Sequence, residues 1–270
     1  MKKITALFAA ATLMAGTVDA QDKIVIKGSD TLGAKMVPQL TEVYKATGND
    51  ASFDISAEGS STAFTSLLEE TGEIGMSSRN IKDSEQDSFT AKGQDIVEWI
   101  AAYDMIGVIV NEKNGVEELT LEQVEGIFTG DITDWSEVGG KAGPISAYTR
   151  NTSSGTYKSF QEMAMKKRDY GPDTQKMAGN EQIASEVSGN ENGIGYVGLA
   201  YAEKDGIKAV EVGGVKLKAR YAKEYPIARS LHYYTIKGSL SPAEEKFLKW
   251  ATEDPKASEV VERVGFIPAK

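Results

Sequence analysis

Cysteine is absent from this 270-residue chain, and histidine occurs once, at His232. Without cysteine there is no disulfide framework, so stability has to come from a packed core. Cys-His pairs are excluded, and a single histidine leaves Ser-His-Asp and zinc arrangements short of parts. His232 lies in the apolar run Leu231 to Ile236 and reads as a packed side chain. No GxxxxGK[ST] loop is present, which removes that route to nucleoside triphosphates. Positive charge is also in deficit. A formal net charge of −10 argues against non-specific binding to nucleic acid or to an anionic membrane. Nothing calls for a cofactor or a metal, and an enzyme is not expected.

Long apolar runs are scarce as well, and the clearest one opens the chain. Lys2 and Lys3 precede an apolar segment from Ile4 to Gly16, too short to span a bilayer, and Val18-Asp19-Ala20 follows as a small-x-small signal. Residues 1–20 therefore read as a signal peptide cleaved after Ala20. No cysteine stands at the junction to carry a lipid, so a periplasmic protein without a lipid anchor is expected. Cleavage would remove Lys2, Lys3 and Asp19 and leave the mature chain one unit more negative.

What remains alternates strand-like and helix-like stretches. Strands are predicted at Lys23–Lys27, Ala51–Ala57, Glu73–Met76, Asp95–Ala101, Met105–Val110, Ile194–Val197, Ala209–Val212 and Leu231–Ile236. Helices are predicted over Leu32–Ala46, Thr62–Glu70, Asp83–Lys92, Thr120–Phe128, Thr156–Lys166, Gln182–Ser188, from Ser241 to Trp250, and over Glu259–Val264. Such alternation indicates an α/β layer fold. The apolar run Met105–Val110 can carry the chain into a second domain, and Leu231–Ile236 can bring it back.

Three strand-to-helix junctions resemble one another: Gly28-Ser29-Asp30-Thr31, Gly59-Ser60-Ser61-Thr62, and Arg150-Asn151-Thr152-Ser153-Ser154-Gly155-Thr156. Helix N-termini leave amides unpaired and carry partial positive charge. Hydroxyls and a glycine there offer donors with little steric obstruction. Arg150 adds a planar fork suited to a tetrahedral oxyanion, and Arg79 follows a further short strand. One such turn is an ordinary cap. Three with two arginines point to a single bound anion. The stretch Gly193-Ile194-Gly195-Tyr196-Val197-Gly198 matches GxGxxG, but its glycines lie inside a strand-like run, so it reads as a strand that other chain must approach closely.

In these motifs, with Ala102–Asn111, Leu119–Val124, Ile127–Gly130 and Trp135, the whole mature chain resembles the phosphate-binding proteins of bacterial ABC importers, within the periplasmic binding-protein superfamily. The resemblance implies a two-domain type II fold, each domain a central mixed sheet flanked by helices, with the ligand in the interdomain cleft. Domain I is expected from residues 21–106 plus 230–270, and domain II from 107–229. It also implies inorganic phosphate as ligand, an ABC importer permease as partner, and a monomer. The implied phosphate ligands are Thr31, the Leu32 amide, Ser60, Ser78 and Arg79 on one side, and Arg150, Ser154, Gly155 and Thr156 on the other. Familiar members carry aspartates where this chain has Ser78 and Thr152. The acceptor for the phosphate proton is therefore sought elsewhere, with Asp30 the candidate (an N-cap is its alternative role) and Glu58 next. The same fold binding a sulfate-like oxyanion, or serving as an exported sensing protein, is the alternative function.

Overall fold

The computed structural model describes residues 23–270; the expected signal segment, residues 1–20, lies outside the described residues. The elements run β1 (Lys23–Gly28), α1 (Asp30–Gly33), α2 (Met36–Ala46), β2 (Ser52–Ser56), α3 (Ser60–Leu68), β3 (Ile74–Ser77), α4 (Asp83–Ala91), β4 (Ile96–Asn111), β5 (Glu118–Leu119), α5 (Leu121–Thr129), β6 (Ser146–Arg150), α6 (Gly155–Ala164), β7 (Gln175–Met177), α7 (Asn180–Gly189), β8 (Gly193–Gly198), β9 (Ile207–Ala209), β10 (Glu211–Val212), β11 (Ala228–Ile236), α8 (Pro242–Glu253) and α9 (Pro255–Arg263).

One mixed sheet carries the site, in the order β2-β1-β3-β11-β4-β8-β6-β7, with β9 also on β4. β1, β2 and β3 are parallel, as are β6, β7 and β8. The 16-residue β4 joins the two groups. Its first part, to Met105, pairs antiparallel with β11, and from Ile106 onward it pairs with β8 and β9. Two strands were predicted here. Their continuity has a physical reason: Asp104, the polar interruption between them, is fully buried and paired.

Other differences are local. The helix predicted from Leu32 to Ala46 is broken after Gly33, and α2 restarts at Met36 with Pro38 in its first turn, where a missing N–H is tolerated. The predicted strand Ala209–Val212 splits, because β9 pairs with β4 while β10 pairs with β5. The last helix starts earlier than predicted: Asp254 accepts from the Lys256 amide and Pro255 takes the first position.

Among the described residues, three buried apolar clusters flank the sheet. The largest includes Ile24, Ile26, Leu40, Phe247 and Val260 and extends to Ile183 and Val187 on α7. A second gathers Val108, Val124, Phe128, Phe160 and Tyr196. A small third holds Phe64, Leu67, Phe89 and Tyr234. Phe160 stacks on Tyr196 with centroids 4.0 Å apart, a geometry adding about 0.5–1.5 kcal/mol beyond area burial. This contact fixes α6, and so the turn before it, against the sheet. The GxGxxG stretch is β8 itself, and a Cβ on Gly195 would lie 2.4 Å from Ile183 Cγ2. Close packing by α7 accounts for that glycine.

Candidate functional site

The three similar turns meet at the carboxyl ends of β1, β2 and β6, where ligands of open α/β sheets bind. Ser29 caps α1 by accepting from the Thr31 amide, 3.2 Å. Asp30 is thus the first helical residue, and its alternative role as N-cap is corrected. Ser154 caps α6 by accepting from the Tyr157 amide, 3.2 Å. Gly59 caps α3, which Ser60 begins. The first-turn amides, including that of Leu32, have no acceptor inside their helices.

The turns are in direct contact. Thr31 Oγ1 lies 2.9 Å from Thr156 Oγ1, and Ser78 Oγ lies 3.2 Å from Ser60 Oγ and 3.5 Å from Thr156 Oγ1. The Ser61 amide donates to Ser153 O at 3.1 Å, and Ser153 Oγ to Glu58 O at 2.9 Å. Only glycine fits at position 155: a Cβ there would stand 2.3 Å from Ser60 Oγ and 2.6 Å from Ser78 Oγ. Thr31, Leu32, Ser60, Ser78, Arg150, Ser154 and Thr156 are each at most 2% exposed.

Hydroxyl polarity follows from the donors around each oxygen. Ser60 Oγ accepts from the Ser78 amide at 3.0 Å, and Thr156 Oγ1 from Arg229 Nη2 at 3.0 Å. Ser154 Oγ accepts from the Tyr157 amide, and Thr31 Oγ1 from Asn180 Nδ2 at 3.4 Å. Each of these hydroxyls still carries a proton to donate, which in the Thr31–Thr156 and Ser60–Ser78 contacts one partner gives to the other. The cluster is therefore a set of donors suited to an oxyanion.

Arg150 ends β6 and is 1% exposed. Its Nη2 donates to Ala178 O at 2.8 Å, while Nε and Nη1 are buried without a hydrogen-bond partner. Nη1 lies 3.3 Å from Asp30 Oδ2, near enough for an ion pair but outside hydrogen-bond alignment. Burial pushes the guanidinium's pKa down and Asp30 opposes that shift. An arginine nonetheless keeps its proton. Beneath it, burial raises the Tyr196 phenol to about 12, so it stays neutral. Tyr196 OH accepts from the Arg150 amide at 3.3 Å.

Arg79, an expected ligand, reaches the second turn through Nη2 to Ser61 Oγ at 3.4 Å, but its shorter bonds go elsewhere. Its fork is bidentate on Glu85, Nη1 to Oε2 at 2.8 Å and Nη2 to Oε1 at 2.6 Å. Nη1 also donates to Asn80 O, and the group lies 5.0 Å from the Phe64 ring centroid. It lines a neighbouring cavity of about 600 Å³ together with Lys82, Lys158, Glu162, Arg229 and Ser230. Glu58, the second proton-acceptor candidate, is exposed and bound to Ser56 Oγ at 3.0 Å. Asp30 does belong to the cluster: its Oδ2 accepts from the Asn180 amide at 3.0 Å and from Asn180 Nδ2 at 2.7 Å.

Arg229, Asp104 and Asn180 were missed by the sequence reading. Arg229 stands two residues before the strand predicted to begin at Leu231. An aspartate inside an apolar strand, as Asp104 is, was the available signal, since a buried carboxylate demands a partner. His232 is packed as expected, 2% exposed. The count of missing parts needs correction, however. Ser230 Oγ lies 2.9 Å from His232 Nε2, and His232 Nδ1 lies 2.9 Å from Glu98 Oε1. That Nδ1 is not aligned for a hydrogen bond, and the same Glu98 oxygen takes the Tyr234 hydroxyl at 2.5 Å. This row ties β4 to β11.

A family model described as a PBP superfamily domain matches residues 15–255. The chain belongs to the PBP superfamily. Among its relatives in this superfamily is the phosphate-binding protein PstS of Pseudomonas aeruginosa, 32% identical over 267 residues, with 89% of this chain and 81% of that protein covered. PstS of Bacillus subtilis is 28% identical over 255 residues, covering 94% and 83%. A crystal structure from Clostridium perfringens, assigned as a phosphate ABC transporter substrate-binding protein with bound phosphate, superposes with a TM-score of 0.85 at 32% identity, covering 92% of this chain and all of that one. The α/β fold of the superfamily is the fold found here. Among the described residues no helix is long and apolar enough to cross a membrane, and no group of three or more His, Asp or Glu can hold a metal.

Proposed function

We propose that this protein binds inorganic phosphate outside the cytoplasmic membrane and delivers it to an ABC importer permease. The observation that carries the reading is Arg150: two buried donor nitrogens without hydrogen-bond partners, at the end of the strand that leads into the turn whose Thr156 hydroxyl meets those of Thr31 and Ser78. Relatives named as phosphate-binding proteins support it. In this reading the ligands are Thr31, the Leu32 amide, Ser60, Ser78, Arg150, Ser154, Gly155 and Thr156, and Arg79 is left out. The two domains, residues 21–106 with 230–270 and residues 107–229, close over the dehydrated anion. Charge-assisted bonds of about 1.5–3 kcal/mol each offset the cost of stripping its water. The protein acts as a monomeric binder, not as an enzyme.

Asp30 is the proton acceptor in this reading, since it is the carboxylate that reaches Arg150 from across the cleft. Ser78 and Thr152, where familiar members have aspartates, are the observation favouring a sulfate-like ligand instead. Calorimetry with phosphate, sulfate, arsenate and molybdate separates the two. Saturable phosphate binding with weaker sulfate binding is expected. Sulfate binding tighter than phosphate would overturn the phosphate reading, and binding of neither would remove the oxyanion site.

A further inference from the structure

Asp104 on β4 and Arg229 on β11 stand directly opposite each other, where the sheet passes from one half to the other. Their side chains are 0% and 5% exposed. Asp104 Oδ2 accepts from Arg229 Nε at 3.1 Å and Nη2 at 2.8 Å, and Asp104 Oδ1 accepts from the Leu199 amide at 2.9 Å. Other donors of the guanidinium reach in two directions. Nη1 donates to Ser78 O at 2.9 Å, on the loop after β3, and Nη2 to Thr156 Oγ1 at 3.0 Å, on α6. One planar group held on the crossing strands therefore touches both flanks of the anion cluster.

We infer that Arg229 is a positioning residue for anion capture: anchored by Asp104, it bridges Ser78 and Thr156, favours closure of the two flanks, and turns the Thr156 hydroxyl proton toward the anion. This rests on the phosphate reading above. The geometry explains why the effect belongs to closure. When the flanks part, Ser78 O and Thr156 Oγ1 separate, and a rigid fork keeps at most one of them. The second bond exists only in the closed arrangement, so it favours that arrangement before any ligand arrives and slows ligand release afterwards. Hydrogen bonds to a charged group each correspond to a factor of about 10 to 100.

The pair has to be tested together, because removing Arg229 alone leaves a buried, unpaired Asp104. Asp104→Asn with Arg229→Met removes both charges and keeps an oxygen for the Leu199 amide. Arg229→Lys is the second variant: its ammonium still faces Asp104 but has no fork to span both flanks. With inorganic phosphate as probe, the double variant is expected to melt cooperatively and to bind about 10- to 100-fold more weakly. The loss should appear chiefly in the dissociation rate, with Arg229→Lys intermediate. Ligand-free, the double variant should scatter as a more expanded particle than ligand-free wild type. A folded double variant whose phosphate Kd and release rate stay within about twofold of wild type overturns the inference. So does a lowered melting temperature with unchanged Kd, which marks a purely structural pair. If the double variant does not fold, the same criteria apply to Arg229→Lys. Should wild type itself fail to bind phosphate, the phosphate reading fails, and the ligand-free scattering comparison still decides whether Arg229 holds the flanks together.

Discussion

Arg79 lies just past the buried strand β3 and Arg150 ends the buried strand β6, on the two flanks of the same cluster, and both are at most 5% exposed. Their surroundings differ in what the fork has left to give. Arg79 spends its guanidinium on both oxygens of Glu85 and on Asn80 O. Arg150 spends Nη2 on Ala178 O and keeps Nε and Nη1 unpaired. A buried donor without an acceptor costs about 1–3 kcal/mol, and an oxyanion relieves that cost on arrival. The comparison teaches that an arginine beside a helix-start turn keeps donors available to an anion when they are unspent in a dry place, and serves as a structural tie when a neighbouring carboxylate has taken them.

The sharpest way to break this comparison is Arg150→Ala. Phosphate affinity should fall by about 2–5 kcal/mol, roughly 30- to 4000-fold, as expected when one partner of a buried charged contact is truncated. The protein should stay folded, because what is removed is one hydrogen bond, to Ala178, and the ion pair with Asp30, whose carboxylate keeps its bonds from Asn180. Wild-type affinity by calorimetry would remove Arg150 from the site. Arg79→Ala should show the reverse pattern. Losing the bidentate contact with Glu85 should lower stability by about 1–3 kcal/mol in denaturant titrations, with phosphate affinity changed by less than about threefold. A large loss of affinity without a loss of stability would put Arg79 back among the ligands.

Asp30→Asn probes the carboxylate that faces Arg150. The amide oxygen can still accept from Asn180, but the charge that repels sulfate is gone. Phosphate binding should weaken by about tenfold (about 1.4 kcal/mol), and the preference for phosphate over sulfate should narrow in competition titrations. An unchanged ratio would confine Asp30 to holding Arg150 and Asn180. The smallest effect concerns the row on the crossing strands. Burial lowers the pKa of His232, against the opposing pull of Glu98. The unfolded chain then binds more protons than the native one, so stability should decline as pH falls through about 6.5, the ordinary histidine value, and below it. His232→Gln should flatten that part of the pH–stability curve. An identical slope in the variant would assign it to carboxylates instead.

Much of the donor cluster was legible before any coordinates. Ser60, Ser154, Gly155 and Thr156 could be read from junctions in which a strand-like run meets hydroxyls, a glycine and a helix-like run, because helix starts expose amides whatever the rest of the fold does. Arg150 was legible for the same reason. Arg229 was not. It lies 125 residues from Asp104 in the chain, and nothing local to either residue names the other. The pairing of Arg79 with Glu85 was equally hidden. Glu85 looks like a first-turn acid of α4, and only the turn at Asn80–Lys82 brings its carboxylate back onto the guanidinium. The continuity of β4 was missed because a charged residue inside an apolar run reads as a break until its partner is known.

The sequence by itself determined the α/β alternation, the absence of disulfide support, and the local capping chemistry that makes three helix starts competent to donate to an anion. These depend on periodicity and on hydrogen bonds between near neighbours. Tertiary structure alone decided which arginine keeps free donors, which hydroxyls meet, and which buried charges are matched, through contacts such as Arg150 with Asp30 and Arg229 with Asp104 and Thr156. The physical reason is that a donor's availability is set by every acceptor within about 3 Å of it, and in this fold those acceptors arrive from distant strands.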